Sequence, residues 1–259
     1  GSLVGSEMCI RDSLYVVSLL LGLIIGSFLN VVAYRVPKKE SLIRPGSHCP
    51  SCGHAVRWHD NVPVLGWLAL RGRCRDCQAA IPVRYPVVEG LTGLLFLAAA
   101  LVIGWAPRLL LAWAFFAVLV AVSLIDLDYF IIPDKIVLPS AAVGLAASVL
   151  LAPQRWWQYL VSGLGAALFL FVVALIWPGG MGFGDVKLAL LLGFVLGADV
   201  IVAMFAAFLM GGIVGVLLLA TGRRTRKDRI PFGPFLAGGG IIGCLAGAHV
   251  LTWYVGLIG

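Results

Sequence analysis

The chain has 259 residues, of which 61% are hydrophobic and only 12% charged, with a mean hydropathy of +1.03. That balance excludes a soluble globular domain of this length and describes a polytopic membrane protein. The formal net charge of +7 does not signal nucleic acid in such a chain, because membrane proteins gather Lys and Arg in cytoplasmic loops to set their topology.

The first thirteen residues, GSLVGSEMCIRDS, fit no signal-peptide pattern and join abruptly onto an apolar run. They read as a non-native segment and are set aside together with Cys9. A first transmembrane helix is expected over residues 14–35. The next stretch, 36–85, is the one sizeable aqueous piece of the chain. It holds Cys49-Pro-Ser-Cys52 and Cys74-Arg-Asp-Cys77, with 21 residues separating Cys52 from Cys74. Two such knuckles supply four thiolates, the donor set of a tetrahedral zinc ion. Four protein ligands close the coordination shell and leave no place for an activated water, so the expected role is structural. Four free thiols or two disulfides are the alternative, and a cytosolic location disfavours the second. His48, His54 and His59 lie nearby, but a closed four-sulfur site does not need them, and they read as solvated loop residues.

From residue 86 onward, apolar runs long enough to cross a bilayer fall at 87–106, 109–125, 136–152, 158–177 and about 234–257. Cys244, inside the last, reads as core. The run from Val186 to Ala220 is ambiguous, being either one long tilted helix or two that meet near Gly197, Ala198 and Asp199. Charge bias favours two. A double crossing puts sixteen of the nineteen Lys and Arg residues on one side: the block from Arg35 to Arg84, then Lys135, Lys187, and the group Arg223, Arg224, Arg226, Lys227 and Arg229. A single crossing would strand that last group on the opposite face. The expected fold is therefore all-α, with about eight transmembrane helices, a small cytosolic zinc-binding insertion at 36–85 and a membrane-embedded catalytic part over 86–259. At about 1.5 Å of rise per residue the helix beginning at Asp185 is short for a full crossing. It is expected to be broken or half-submerged, with its irregular backbone shielded by protein or lining a wet cavity.

Ionisable groups at membrane depth are costly and usually functional. Asp126 and Asp128 close the third span in Ile-Asp-Leu-Asp-Tyr-Phe-Ile-Ile-Pro-Asp, and Pro133 and Asp134 open the next. Asp185 stands in Gly180-Met-Gly-Phe-Gly-Asp-Val-Lys187. The topology places both clusters on the cytosolic side at similar depth, so two carboxylates can meet. Two Asp around one water cannot both ionise cheaply; one then acts as base towards the water and the other protonates the developing oxyanion. Gly182 and Gly184 are expected to take positive φ and to let an extended substrate backbone approach. The competing reading is that these Asp cap helices or pair with Lys135 and Lys187.

Taken together, the residues resemble the bifunctional prepilin leader peptidase and N-methyltransferase family. The resemblance is carried by Gly26-Ser-Phe-Leu-Asn30, Tyr34-Arg-Val-Pro37, both knuckles, Asn61-Val-Pro63, Gly66-Trp-Leu68, Arg71-Gly-Arg-Cys74, Arg84-Tyr-Pro-Val-Val-Glu89 and the two Asp motifs. It covers about residues 14–258. It implies a GxGD-type aspartyl protease of a bacterial inner membrane, with Asp126 and Asp185 as the catalytic pair and Asp128 and Asp134 as supporting polar groups. The implied substrates are type IV prepilins or pseudopilins of pilus and type II secretion systems, cut after a glycine and then N-methylated with S-adenosylmethionine as donor. Glu89, Asn30 and Lys187 are candidates for polar roles in methyl transfer, or equally for interhelical hydrogen bonds. A metalloprotease or serine protease is disfavoured, since neither His-Glu-x-x-His nor Gly-x-Ser-x-Gly occurs. The non-enzyme alternative is a proton-coupled transporter relaying protons through Asp126 and Asp185 at a broken helix. It calls for repeated halves, and no convincing internal repeat is present. Docking of the precursor's apolar helix between spans is the expected source of substrate affinity.

Overall fold

The computed structural model describes residues 2–44, 46–176, 181–222 and 230–258, with side chains from residue 11 to residue 257. The basic group from Arg223 to Arg229, Gly180 and the side chain of Cys9 lie outside the described residues. All regular structure among the described residues is helical. In chain order the helices are α1 (Ser2–Arg35), a short α2 (Leu65–Ala69), α3 (Arg84–Ile103), α4 (Pro107–Tyr129), α5 (Asp134–Leu151), α6 (Trp156–Ile176), α7 (Phe183–Leu196), α8 (Val200–Ala220) and α9 (Gly233–Ile258). Among the described residues, seven stretches are long and apolar enough to cross a membrane, the longest being Phe183–Ala220. The protein is a multi-pass membrane protein.

That longest stretch is broken where the residues suggested. A 3-10 turn, Gly197–Asp199, interrupts it, and Gly197 takes a φ of 61°, a left-handed conformation that costs glycine nothing. The chain reverses there. A Cβ on Gly243 of α9 would meet Leu196 at the end of α7 as well as Ala203 of α8, whereas Gly211, farther along α8, faces Phe232 and Phe235 at the start of α9. Helix α8 therefore runs antiparallel to α9, back along the bundle. At fourteen residues α7 spans only about 21 Å.

The chain divides into two compact units, residues 1–117 and 118–259. In the first, α1 packs on α3 through glycines: a Cβ on Gly22 would lie 2.7 Å from the Cα of Gly93, and one on Gly26 would lie 2.8 Å from the Cα of Glu89. Close backbone approach of this kind replaces the hydrophobic drive that lipid removes. Trp113 of α4 donates its indole N–H to the Phe96 carbonyl at 3.0 Å and stacks on the Phe96 ring. In the second unit, α6 and α7 meet at Gly163 and Gly193, where either Cβ would collide with the facing helix. Small residues of α8 and α9 meet in the same way at Ala203 and Gly239.

Candidate active site and cysteine cluster

Asp126 lies in the last turn of α4. The helix ends because Phe130 adopts a φ of 55° while its N–H still reaches the Asp126 carbonyl at 2.9 Å, an αL stop made without glycine. Ile131 and Ile132 lead to Pro133, which caps α5 with extended backbone, and Asp134 occupies the first helical turn, where a carboxylate complements the helix dipole. Asp185 sits in the first turn of α7. Its carboxylate accepts the Gly182 N–H at 3.0 Å and its own N–H returns to the Gly182 carbonyl at 3.1 Å, a reciprocal cap.

The two loops are in contact. A Cβ on Gly184 would lie 2.7 Å from the Cβ of Ile132, and Lys187 donates to both oxygens of Asp134 at 2.7 and 2.8 Å. Asp126 and Asp185 are buried, at 5% and 6% exposure. Asp128 is exposed and has an interaction of its own. The glycines act differently from expectation. Gly182 is extended, with φ −89° and ψ 154°, and Gly184 is not among the glycines of positive φ. What Gly184 supplies is the missing Cβ that lets Ile132 approach.

One participant was not foreseen. The backbone N–H of Gly233, 107 residues from Asp126, donates to its carboxylate at 2.9 Å in a buried contact. A Cβ on Gly233 would stand 2.6 Å from that oxygen. The only local signal is Pro231-Phe-Gly-Pro234 just ahead of the last apolar run, which reads as a turn before a helix and says nothing about its partner. Each carboxylate thus accepts an N–H from the beginning of a helix, Asp126 from α9 and Asp185 from α7.

In the first unit, Cys49, Cys52, Cys74 and Cys77 converge, their sulfurs all within 4.8 Å of one another and those of Cys49 and Cys77 3.7 Å apart. A tetrahedral ion with bonds of about 2.3 Å to sulfur spreads its ligands about 3.8 Å apart, so the cluster lies close to the spacing a metal requires. The two knuckles are built alike. The Cys49 N–H binds the His54 carbonyl at 2.9 Å and the Cys74 N–H binds Ala79 at 2.8 Å, while Gly53 and Gln78 return their N–H groups to Cys49 and Cys74. Gly53 and Gln78 both take positive φ. Among the described residues no histidine joins the cluster. The Cys49 thiol is pulled down to about 6 by the backbone N–H groups of Cys52 and Ser51. At Cys77 the Ala79 N–H works in the same direction, but burial and the three neighbouring thiols outweigh it and push the group up to about 12. Four thiolates cannot coexist there without a cation, so metal binding must release protons.

Glu89 and Asn30 are buried in this unit. Asn30 donates to the carbonyls of Gly26 at 3.3 Å and Tyr85 at 3.4 Å. Glu89 accepts the Val64 N–H at 2.7 Å, and Val64 is held at a φ of 61°, rare for a β-branched residue. Asp60 and Arg75 pair through two hydrogen bonds, that from Nε being 2.8 Å, which joins the loop before α2 to the second knuckle.

Comparison with known proteins separates the same two parts. The Bacterial Peptidase A24 N-terminal domain matches residues 20–103, and the Type IV leader peptidase family matches residues 113–216. Proteins named prepilin leader peptidase/N-methyltransferase are similar to most of the chain. One from Myxococcus xanthus is 41% identical over 210 residues, covering 78% of this chain and 63% of that protein. One from Bacillus subtilis is 35% identical, covering 90% of this chain and 95% of the relative. One from Pseudomonas aeruginosa is 35% identical over 93% of each. No solved structure matches the chain. With the Bacillus subtilis and Pseudomonas aeruginosa relatives each 35% identical and matched over more than nine-tenths of their length, and with family matches that take in the cysteine cluster, Asp126 and Asp185, the chain belongs to the type IV leader peptidase family.

Proposed function

We propose that the protein is a leader peptidase and N-methyltransferase of a bacterial inner membrane, acting on type IV prepilin or pseudopilin precursors at the cytosolic face with Asp126 and Asp185 as its aspartyl pair. The observation that supports the reading is that two buried carboxyls, each bound by a backbone N–H, stand beside loops that touch through Ile132 and Gly184. One carboxylate takes a proton from a water whose oxygen attacks the scissile carbonyl. The other, protonated, gives its proton to the oxyanion. Collapse of the tetrahedral intermediate breaks the C–N bond, and the released amine takes a proton from the pair. The buried, lipid-flanked site keeps bulk water from competing with these transfers.

Methyl transfer follows on the new amino terminus. Its neutral nitrogen attacks the methyl carbon of S-adenosylmethionine, a second substrate, with the sulfur leaving as the thioether. Glu89 and Asn30 are the polar groups proposed for that step, because both are buried in the membrane part of the first unit. Zinc is the metal proposed for the four cysteines, where it folds the insertion and has no open coordination position for catalysis. A proton-relay role for the carboxylates has no observation in its favour.

The test uses purified protein and a synthetic precursor. Asp126→Asn and Asp185→Asn each lose cleavage by on the order of a thousandfold or more while keeping the helical content of the parent. Cleavage retained in either variant removes that residue from the pair.

A further inference from the structure

We propose that the ion pair between Lys187 and Asp134 is a clasp that sets the spacing of the two loops carrying Asp126 and Asp185, which makes both residues positioning residues for leader cleavage. The proposal rests on the aspartyl reading above and adds two side chains that act through the position of the carboxyls.

The geometry of the loops is the reason. Asp134 opens α5 directly after the turn that leaves Asp126, and Lys187 lies two positions beyond Asp185 in α7. Two positions on an α-helix turn a side chain through roughly 200°, so Lys187 and Asp185 leave opposite sides of α7. Burial follows that division. Asp185 is 6% exposed, while the side chains of Lys187 and Asp134 are 35% and 55% exposed. The reacting carboxyl faces the packed interior and the clasp faces outward.

Two different contacts join the loops. Ile132 against the bare Cα of Gly184 is a steric stop that limits how closely they can approach. Lys187 reaching both oxygens of Asp134 at 2.7 and 2.8 Å limits how far they can part. A stop and a tether acting together hold a separation that neither would hold alone. Exposed ion pairs add little to global stability, since water screens them and two side chains must be ordered. Breaking this pair should therefore leave the fold in place and act through the position of the carboxyls, to which a rate is far more sensitive: a misplacement of about 1 Å can cost about a hundredfold.

The experiment measures kcat, KM and the thermal midpoint of the full-length protein in lipid nanodiscs with a synthetic precursor. Lys187→Met and Asp134→Asn each lower kcat about ten- to a hundredfold, with KM within about twofold of the parent and the midpoint unchanged. The double variant is no slower than the slower single variant, because one clasp cannot be opened twice. Lys187→Arg keeps most of the turnover, since a guanidinium also spans two carboxylate oxygens. Parental turnover in the single variants, losses that multiply in the double variant, or a raised KM with intact kcat would each overturn the proposal, the last by making Lys187 a substrate contact. Asp126→Asn and Asp185→Asn in the same assay separate the two readings. If both are inactive while the clasp variants are normal, only the clasp fails; if either cleaves, the aspartyl reading fails and takes the clasp with it.

Discussion

The insertion at 36–83 and the helices that carry Asp126 and Asp185 reach fixed geometry by opposite means. The insertion has only five residues of helix, Leu65–Ala69. Four of the five non-glycine residues with positive φ lie in it: Lys39, Val64, Arg71 and Gln78. Conformers of this kind cost of order 1 kcal/mol each and persist only where their surroundings over-determine them. Here the surroundings are the cysteine cluster, the Asp60–Arg75 pair and the carboxylate of Glu89. A segment this small cannot bury enough apolar surface to fold alone in water, so it depends on cross-links. In the helices, Phe130 is the one such residue among those described, and order comes from backbones that touch at Gly163, Gly193 and Gly239. Lipid is as apolar as leucine, so shape has to supply what the hydrophobic effect cannot. The first region should answer to metal, protons and salt, and the second to the volume of single atoms.

The largest effect that tests this contrast is metal removal. A structural zinc site contributes on the order of 10 kcal/mol to a small fold at neutral pH, more than any other contact in the insertion. Chelation, or Cys74→Ser with Cys77→Ser, should open the segment to trypsin at Arg57, Arg71, Arg73 and Arg75, with cleavage faster by a hundredfold or more. Far-UV helicity should barely change, because the insertion holds so little helix. A large helicity loss on chelation would show that the cysteine cluster also supports the spanning helices and would break the comparison.

The complementary test adds one methyl group. In Gly233→Ala the new Cβ falls 2.6 Å from the Asp126 carboxylate oxygen, well inside contact distance, so the carboxyl or the start of α9 must move. Overpacking of this kind costs about 1–3 kcal/mol in stability, and the displaced carboxyl should lower leader cleavage about a hundredfold. Gly238→Ala is the control: its Cβ meets the flexible end of Met210 at 3.1 Å, which can swing aside, and turnover should stay within about twofold. Equal losses in both variants would mean that α9 tolerates no added volume anywhere and that Gly233 has no special relation to Asp126.

Much of this arrangement was legible in the residues. The apolar runs give the spanning helices in order, and the break near Gly197 followed from the side on which Lys and Arg must lie. The cysteine cluster followed from the spacing of its two pairs. What was not legible is tertiary. Helix α4 continues past its apolar run to Tyr129 because a helix ends at a cap and not where hydrophobicity falls, and its cap, Phe130, belongs to no class that favours left-handed backbone. Gly184 was expected to bend and instead makes room for Ile132. The partner of the Gly233 N–H lies 107 residues away, in another helix, and no local pattern encodes it. At Gly184 and Gly233 a neighbour distant in sequence, Ile132 and Asp126, decided what the glycine does.

The smallest effect sharpens the comparison most, because it separates two ionic supports within one region. The two hydrogen bonds from Arg75 hold the Asp60 carboxyl below its usual 3.8. A depressed carboxylate stabilises the fold fully above its unfolded value and loses that contribution as pH falls through the lower folded value. Thiolates take up protons well before that in an acid titration, so acid alone would report the metal and hide the pair. Salt at pH 7 separates them. The side chain of Arg75 is 43% exposed and that of Asp60 8%, so the pair is screened in part at high ionic strength, whereas thiolate bonds to a metal are not. Asp60→Asn should therefore raise tryptic cleavage of the metal-loaded insertion by about two- to threefold in low salt, and the difference from the parent should narrow in about 1 M NaCl. A difference that survives high salt in full would assign the role of Asp60 to the geometry of its two hydrogen bonds with Arg75 instead of to its net charge.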